Sequence, residues 1–261
     1  MKKNIAIFGW KIGENSFGIT VPYYNYFSYF GDVHILSPLK SFDFTKYDLL
    51  VVPGGPDVAP STYGMIPDMY TGKSDPIREY FDKFQLPLAI KTGIPLVGIC
   101  RGHQSICVAF DGYLNQNMQH ETNLSTDRNK AVHGLNVFTE VLPESLAKTL
   151  RDHKEGLPKY KDKHLANHPT RRYLEVNSIH HQTVAEVPEA AMLLATYNGE
   201  KENSIDGLSI EALYYPNHNI FTFQYHPEEL WDDLSLACVT YLLNHSHKEH
   251  ESSENNLELT G

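Results

Sequence analysis

Gly98-Ile99-Cys100-Arg101-Gly102-His103-Gln104, directly after the apolar run Ile94-Pro95-Leu96-Val97, sets a thiol on the corner between a strand and a helix. That is the layout of a nucleophile elbow, where a side chain on a sharp turn is pushed clear of the sheet and held at strained backbone angles. Crowding at such a corner demands small neighbours, and Gly98 and Gly102 supply them. A helix beginning near Gln104 would point its positive end at Cys100 and favour thiolate, the form that attacks carbonyl carbon. The Arg101 amide N–H, on the same corner, can donate to an oxyanion.

A thiolate needs a base and a group that orients the base. Gln224-Tyr225-His226-Pro227-Glu228 offers both. Ile220-Phe221-Thr222-Phe223 reads as a buried strand, and His226 leaves it at the end where parallel sheets gather their chemistry. Pro227 stops the strand, and Glu228 can bond one imidazole nitrogen while the other faces sulfur.

Further out, short apolar runs at Ile5 to Phe8, Val33 to Leu36, Leu49 to Val52 and Leu96 to Ile99 alternate with helical stretches such as Pro76 to Lys91. The alternation predicts an α/β fold, a central, mainly parallel sheet with helices on both faces. Pro22 to Phe30 is aromatic on nearly every side and reads as a helix packed into the core. Beyond Phe138 the pattern changes to strands at Val137 to Leu142, Tyr173 to Asn177, Met192 to Thr196, Leu208 to Tyr214 and Ile220 to Gln224, then a closing helix at Leu230 to Leu243.

Four stretches carry a family resemblance: Pro53-Gly54-Gly55-Pro56-Asp57-Val58 with Pro60 and Tyr63-Gly64; Gly98 to Gln104; Val176-Asn177-Ser178-Ile179-His180-His181-Gln182; and Gln224 to Glu228. In that order they resemble the class I glutamine amidotransferase-like proteins, closest to the γ-glutamyl hydrolase branch (peptidase C26-like) that includes γ-glutamyl-γ-aminobutyrate hydrolases. The resemblance spans most of the chain up to about residue 244 and implies the flavodoxin-like fold of that superfamily. It implies Cys100 as nucleophile, His226 as general base and acid, and Glu228 as orienter. Gly55 and Arg101 would give the oxyanion N–H groups, and Gln104 would hold the glutamyl portion of the substrate. His180 and Gln182 would face the active site, with His181 structural. Asp57 and Tyr63 extend the Gly54-Gly55 loop toward substrate. His103, His181 and the stretch from Ala147 to Arg172 have no counterpart in the family pattern.

Composition narrows the function classes. With 261 residues and 41% hydrophobic content the chain can bury one sizeable core. The expected organisation is one catalytic domain over 1–244 and a polar tail over 245–261 that cannot bury enough surface to fold. A net charge of -10 argues against general nucleic-acid binding. Three cysteines, none in a C-x-x-C pair, fit a reducing, cytoplasmic setting better than a disulfide framework or zinc site. No apolar run approaches the roughly 20 residues of a spanning helix, and the basic start has no signal pattern. Adjacent histidines at 180 and 181 point to opposite faces of a strand, so no metal site is expected, and no organic cofactor is implied.

The expected chemistry is hydrolysis of a γ-glutamyl amide by a free-standing enzyme. The alternative is a glutaminase that hands ammonia to a separate synthetase; a non-catalytic binding or regulatory role is disfavoured by the intact Cys, His and Glu set. The basic stretch Lys148 to Arg172 reads as a solvated connector, or else as a lid or docking surface. Neither the leaving amine nor the oligomeric state is written in the sequence.

Overall fold

A computed structural model describes residues 2–37, 40–118, 127–152, 171–198 and 208–245. Its strands are β1 (Lys3–Phe8), β2 (Trp10–Gly13), β3 (Ser16–Gly18), β4 (Gly31–Leu36), β5 (Leu49–Val52), β6 (Leu96–Ile99) and β7 (Leu114–Asn115). They continue with β8 (His133–Phe138), β9 (Arg171–Val176), β10 (Thr183–Val184), β11 (Met192–Asn198), β12 (Leu208–Tyr215) and β13 (Ile220–Phe223). The helices are α1 (Val21–Ser28), α2 (Pro76–Tyr80), α3 (Leu86–Thr92), α4 (Arg101–Ala109), α5 (Glu144–Asp152), α6 (Pro227–Leu230) and α7 (Asp233–His245).

The strands β5, β6 and β13 are apolar in nearly every position and buried from end to end, as strands covered on both faces must be. Alternation along β1 sends Ile5 and Ile7 to one face with Tyr23, Phe27 and Leu242, and Ala6 and Phe8 to the other with Leu86, Ala89 and Ile106. Thus α1 and α7 cover one face, and α3 and α4 the other. The main sheet runs β4-β1-β5-β6-β13-β12-β11-β8-β9, with β10 bridging β12 and β7. Pairing is parallel from β4 to β13 and antiparallel from there to β9.

The parallel half lies where the apolar runs place it, and the later half needs corrections. The strand expected at Val137 to Leu142 is His133–Phe138 followed by a 3-10 turn at Thr139–Val141, because Pro143 cannot continue a ladder. The closing helix begins at Asp233, since Trp231 takes a left-handed conformation (φ 57°) that ends the short α6. The helix expected near Gln104 starts at Arg101, so the chain reverses within the single residue Cys100. The β2–β3 hairpin has no sequence signal, because Lys11, Gly13, Glu14 and Asn15 carry no apolar alternation. Pro22 to Phe30 does form a core helix, with Tyr23, Tyr26 and Phe27 buried. Of the basic stretch Lys148 to Arg172, residues 153–170 lie outside the described residues, as does the tail beyond His245. Among the described residues no helix is long and apolar enough to cross a membrane.

His103 on α4 is fully buried, with Nδ1 2.7 Å from the Thr222 hydroxyl on β13. Burial holds its pKa down at about 3. The folded protein therefore keeps a neutral imidazole while the unfolded chain takes up a proton below about pH 6.5. Stability from this group is present above that pH and is lost as the pH falls toward 3, at about 1.4 kcal/mol per pH unit. His103→Asn, which can still bond Thr222, should lower stability at pH 7 but flatten its fall between pH 6 and 4. Urea unfolding across that range checks this; an unchanged slope would refute it.

Candidate active site

Cys100 sits between β6 and α4 at φ 53° and ψ -107°. Such angles cost a non-glycine residue about 1–3 kcal/mol, so the surroundings must impose them. The Cys100 N–H donates to Phe223 O at 2.7 Å, which ties the corner to the end of β13, and Gln104 N–H donates to Cys100 O at 3.2 Å, which starts the helix. A Cβ on Gly102 would collide with the carbonyl oxygen of Val52, and one on Gly98 would lie 2.7 Å from Ile106 Cδ1. The glycines therefore let α4 pack hard against β5 and β6, and the cysteine takes the strain.

The loop after β5 is fixed from both sides. Tyr23 Oη accepts from the Gly54 N–H at 2.9 Å. The fully buried guanidinium of Arg78 donates to Gly54 O and Pro53 O, each at 2.8 Å. Because N–H and C=O oppose each other across a trans peptide, clamping Gly54 O turns the Gly55 N–H away from Arg78. Burial, followed by the neighbouring Arg101 charge, lowers the Arg78 pKa to about 10, which still leaves it cationic at neutral pH. The Arg101 side chain is also buried, paired with Glu79 at 2.8 Å and Asp82 at 2.6 Å. That leaves only its main chain to act at the corner.

His226 follows β13 and caps α6, with Pro227 in the first helical turn. Its Nδ1 lies 2.7 Å from Glu228 Oε1, and Glu228 is 1% exposed. Both His226 and Cys100 lie against Gly54: a Cβ built there would sit 3.1 Å from His226 Cε1 and 3.6 Å from Cys100 Cβ. Burial pulls the His226 pKa down, but the charges of Glu228 and Cys100, with hydrogen bonds to both, push it up to about 10. The imidazole is therefore protonated at neutral pH and supports a thiolate beside it.

Asn177, fully buried just past β9, is a brace that its place in the sequence does not announce. Its Oδ1 accepts from the His226 N–H at 2.9 Å, and its Nδ2 donates to Arg128 O at 2.7 Å. The Arg128 side chain then reaches back to Glu229, Nε to Oε1 at 2.8 Å. Cys100, His226, Gly54, Gly55, Tyr23, Arg128 and Glu229 open onto one cavity of about 580 Å³, shared with Trp10, Pro22 and Ile179.

The other expected contact residues do not line this cavity. Gln104 is buried, its Nε2 donating to Gln182 O at 2.9 Å and Gln224 Oε1 at 3.1 Å. His180 points into the interior, Nδ1 3.1 Å from Gln182 O and Nε2 3.9 Å from Glu211 Oε1, where burial raises the Glu211 pKa to about 7. The Gln182 side chain is buried as well. Tyr63 is half-buried on the loop beyond Gly55, its pKa raised to about 12 by burial and by Asp57, Asp68 and Glu79. In the 177–182 segment it is Ile179 that meets the cavity, because the strand-like alternation turns His180 inward. His181 Nε2 instead pairs with Asp57 at 3.0 Å, pinning the loop after Gly55. Cys107 and Cys238 are both fully buried, and burial pushes Cys107 up to about 12 and Cys238 well above the usual thiol range.

Residues 43–228 match the family model described as Peptidase C26. The chain is 29% identical over 189 residues to the glutamine amidotransferase-like protein YvdE of Lactococcus lactis, covering 72% of this chain and 69% of that one. It is 26% identical over 192 residues to the glutamine-hydrolyzing subunit of GMP synthase from Thermococcus kodakarensis, covering 74% and 72%. A match to a Mycobacterium tuberculosis relative spans only 52% of that protein's length. Among solved structures, a GMP synthase subunit from Thermoplasma acidophilum superposes with TM-score 0.56 at 16% identity, over 97% of this chain and 98% of the other, which establishes the shared fold.

Proposed function

The chain belongs to the peptidase C26 family of the class I glutamine amidotransferase-like superfamily, and from that premise we propose that it hydrolyses a γ-glutamyl amide through a thioester on Cys100. The observation that carries the reading is the strained Cys100 corner sharing one cavity with His226, whose ring is held by Glu228. The Cys100 thiolate adds to the γ-carbonyl, and the oxyanion so formed is met by the main-chain N–H groups of Gly55 and Arg101. Protonated His226 gives its proton to the leaving nitrogen as the C–N bond breaks. Neutral His226 then takes a proton from water, which attacks the thioester and releases the γ-carboxylate and the thiolate. Glu228 acts as orienter, holding the ring through Nδ1 and stabilising the imidazolium.

A second reading has support in the relative from Thermococcus kodakarensis, a glutamine-hydrolyzing part of GMP synthase. On that reading the same thioester chemistry takes glutamine and passes ammonia to a separate synthetase. Steady-state glutamate release by the purified chain, measured with glutamine and a panel of γ-glutamyl-amines, separates the two. The free-standing hydrolase predicts turnover of at least one γ-glutamyl-amine without any partner. If all are inert, and glutamine is cleaved only after a synthetase is added, the amidotransferase reading replaces it.

A further inference from the structure

Arg128 is the one Lys or Arg among the described residues that line the Cys100 cavity. Its position is unusual for a surface ion pair. Nη2 stands 3.3 Å from His226 Nδ1 and 3.5 Å from Nε2, nearly equidistant, which places the guanidinium against the ring rather than in line with either nitrogen. His226 carries a proton at neutral pH, so two cations face each other at the cavity wall. Glu229 holds Arg128 there by Nε alone, leaving the Nη groups directed at the site. A solvent-exposed ion pair contributes too little to make such a like-charge contact favourable by itself. An anion entering the cavity would relieve it, because a carboxylate can take both Nη-side donors and lie between the two positive groups. Asn177 ties the Arg128 carbonyl, not its side chain, to the His226 segment, so the guanidinium is free to move while its base stays anchored.

We propose that Arg128 is the substrate-carboxylate receptor of this site, with Glu229 releasing it to, and orienting it on, that carboxylate. The inference rests on the γ-glutamyl reading above. A γ-glutamyl amide offers two carboxylates of the same chemistry: the α-carboxylate of the glutamyl portion, and one borne by the leaving amine.

Three substrates distinguish them: γ-glutamyl-methylamide, with only the α-carboxylate; its α-carboxamide counterpart, with none; and the same α-carboxamide with glycine as the leaving amine. Arg128→Gln should lower kcat/KM roughly 10- to 100-fold, mainly through KM, for whichever carboxylate it binds. The carboxylate-free substrate should show little further loss. Arg128→Lys should recover part of the effect, keeping the charge but not the fork. Removing the cation next to His226 would also move the alkaline limb of the pH profile upward, equally for every substrate. Loss confined to the first substrate assigns the α-carboxylate, and loss confined to the third assigns the leaving amine. An equal loss on all three overturns the proposal and leaves Arg128 acting only through His226. Should the wild-type protein hydrolyse none of them, the γ-glutamyl reading falls, and calorimetry with the Cys100→Ala protein decides Arg128. Preference for L-glutamine over its α-amide that vanishes with Arg128→Gln sustains the receptor; no preference overturns it.

Discussion

Replacing Cys100 by alanine or serine is expected to lower γ-glutamyl hydrolysis by about 10^4-fold or more, with the fold intact. The side chain removed is small and 7% exposed, so little packing is lost. Neither residue avoids the strain at φ 53°, so the backbone penalty stays as it was. A thiol-directed glutamine analogue should add one adduct to the wild-type protein, located by mass spectrometry at Cys100. Cys107 and Cys238 are poor competitors, being fully buried with pKa values raised far from neutrality. Labelling at either of them, together with an active Cys100 variant, would show that the nucleophile has been misassigned.

His226→Ala should cost on the order of 10^3-fold or more in kcat, because it removes both the proton donor for the leaving amine and the base for water. Glu228→Gln should lose less: it retains a partner for Nδ1 and gives up the charge that supports the imidazolium. The sign of the pH effect follows from that charge. Glu228 helps raise the His226 pKa to about 10, so the wild-type rate should decline only as the pH climbs through that region. Glu228→Gln should bring the decline to lower pH. Near wild-type turnover by the His226 variant, or an alkaline limb that ignores Glu228, would remove His226 from its role.

The thiol corner and the parallel half of the sheet are legible because each rests on a local pattern. Leu49 to Val52 and Leu96 to Ile99 are unbroken apolar runs, and both form strands with the bounds the pattern implies. The antiparallel half is harder, since half-buried strands and 3-10 turns share composition, as Val137 to Leu142 illustrates. Cys100, His226 and Glu228 are legible as a motif and its complement; the fold brings Cys100 and His226 to one cavity and sets Glu228 behind the ring. Arg78, Asn177 and Arg128 are not, because each acts through backbone atoms or neighbours 24 to 98 positions away, and no spacing announces such a contact. His180 shows the opposite error. A polar residue inside a substrate-facing motif reads as facing substrate, whereas alternation along the chain directs it to buried Glu211.

The Arg78 clamp makes the main-chain geometry after β5 depend on a helix that is synthesised 24 residues later than the carbonyl it holds. A nascent chain can form the β1–β4 pairing once residue 36 has emerged. The Gly54 peptide acquires its fixed orientation only when α2 docks and its guanidinium is withdrawn from water. Docking of α2 also brings Glu79 to Arg101, so the loop and the thiol corner are locked by one helix. Catalytic competence is therefore a late event in folding, conferred by long-range closure rather than by the segments that carry the chemistry. An incompletely folded chain holds an unaligned thiol, which protects the cell from a stray acyl-transfer catalyst before assembly is complete.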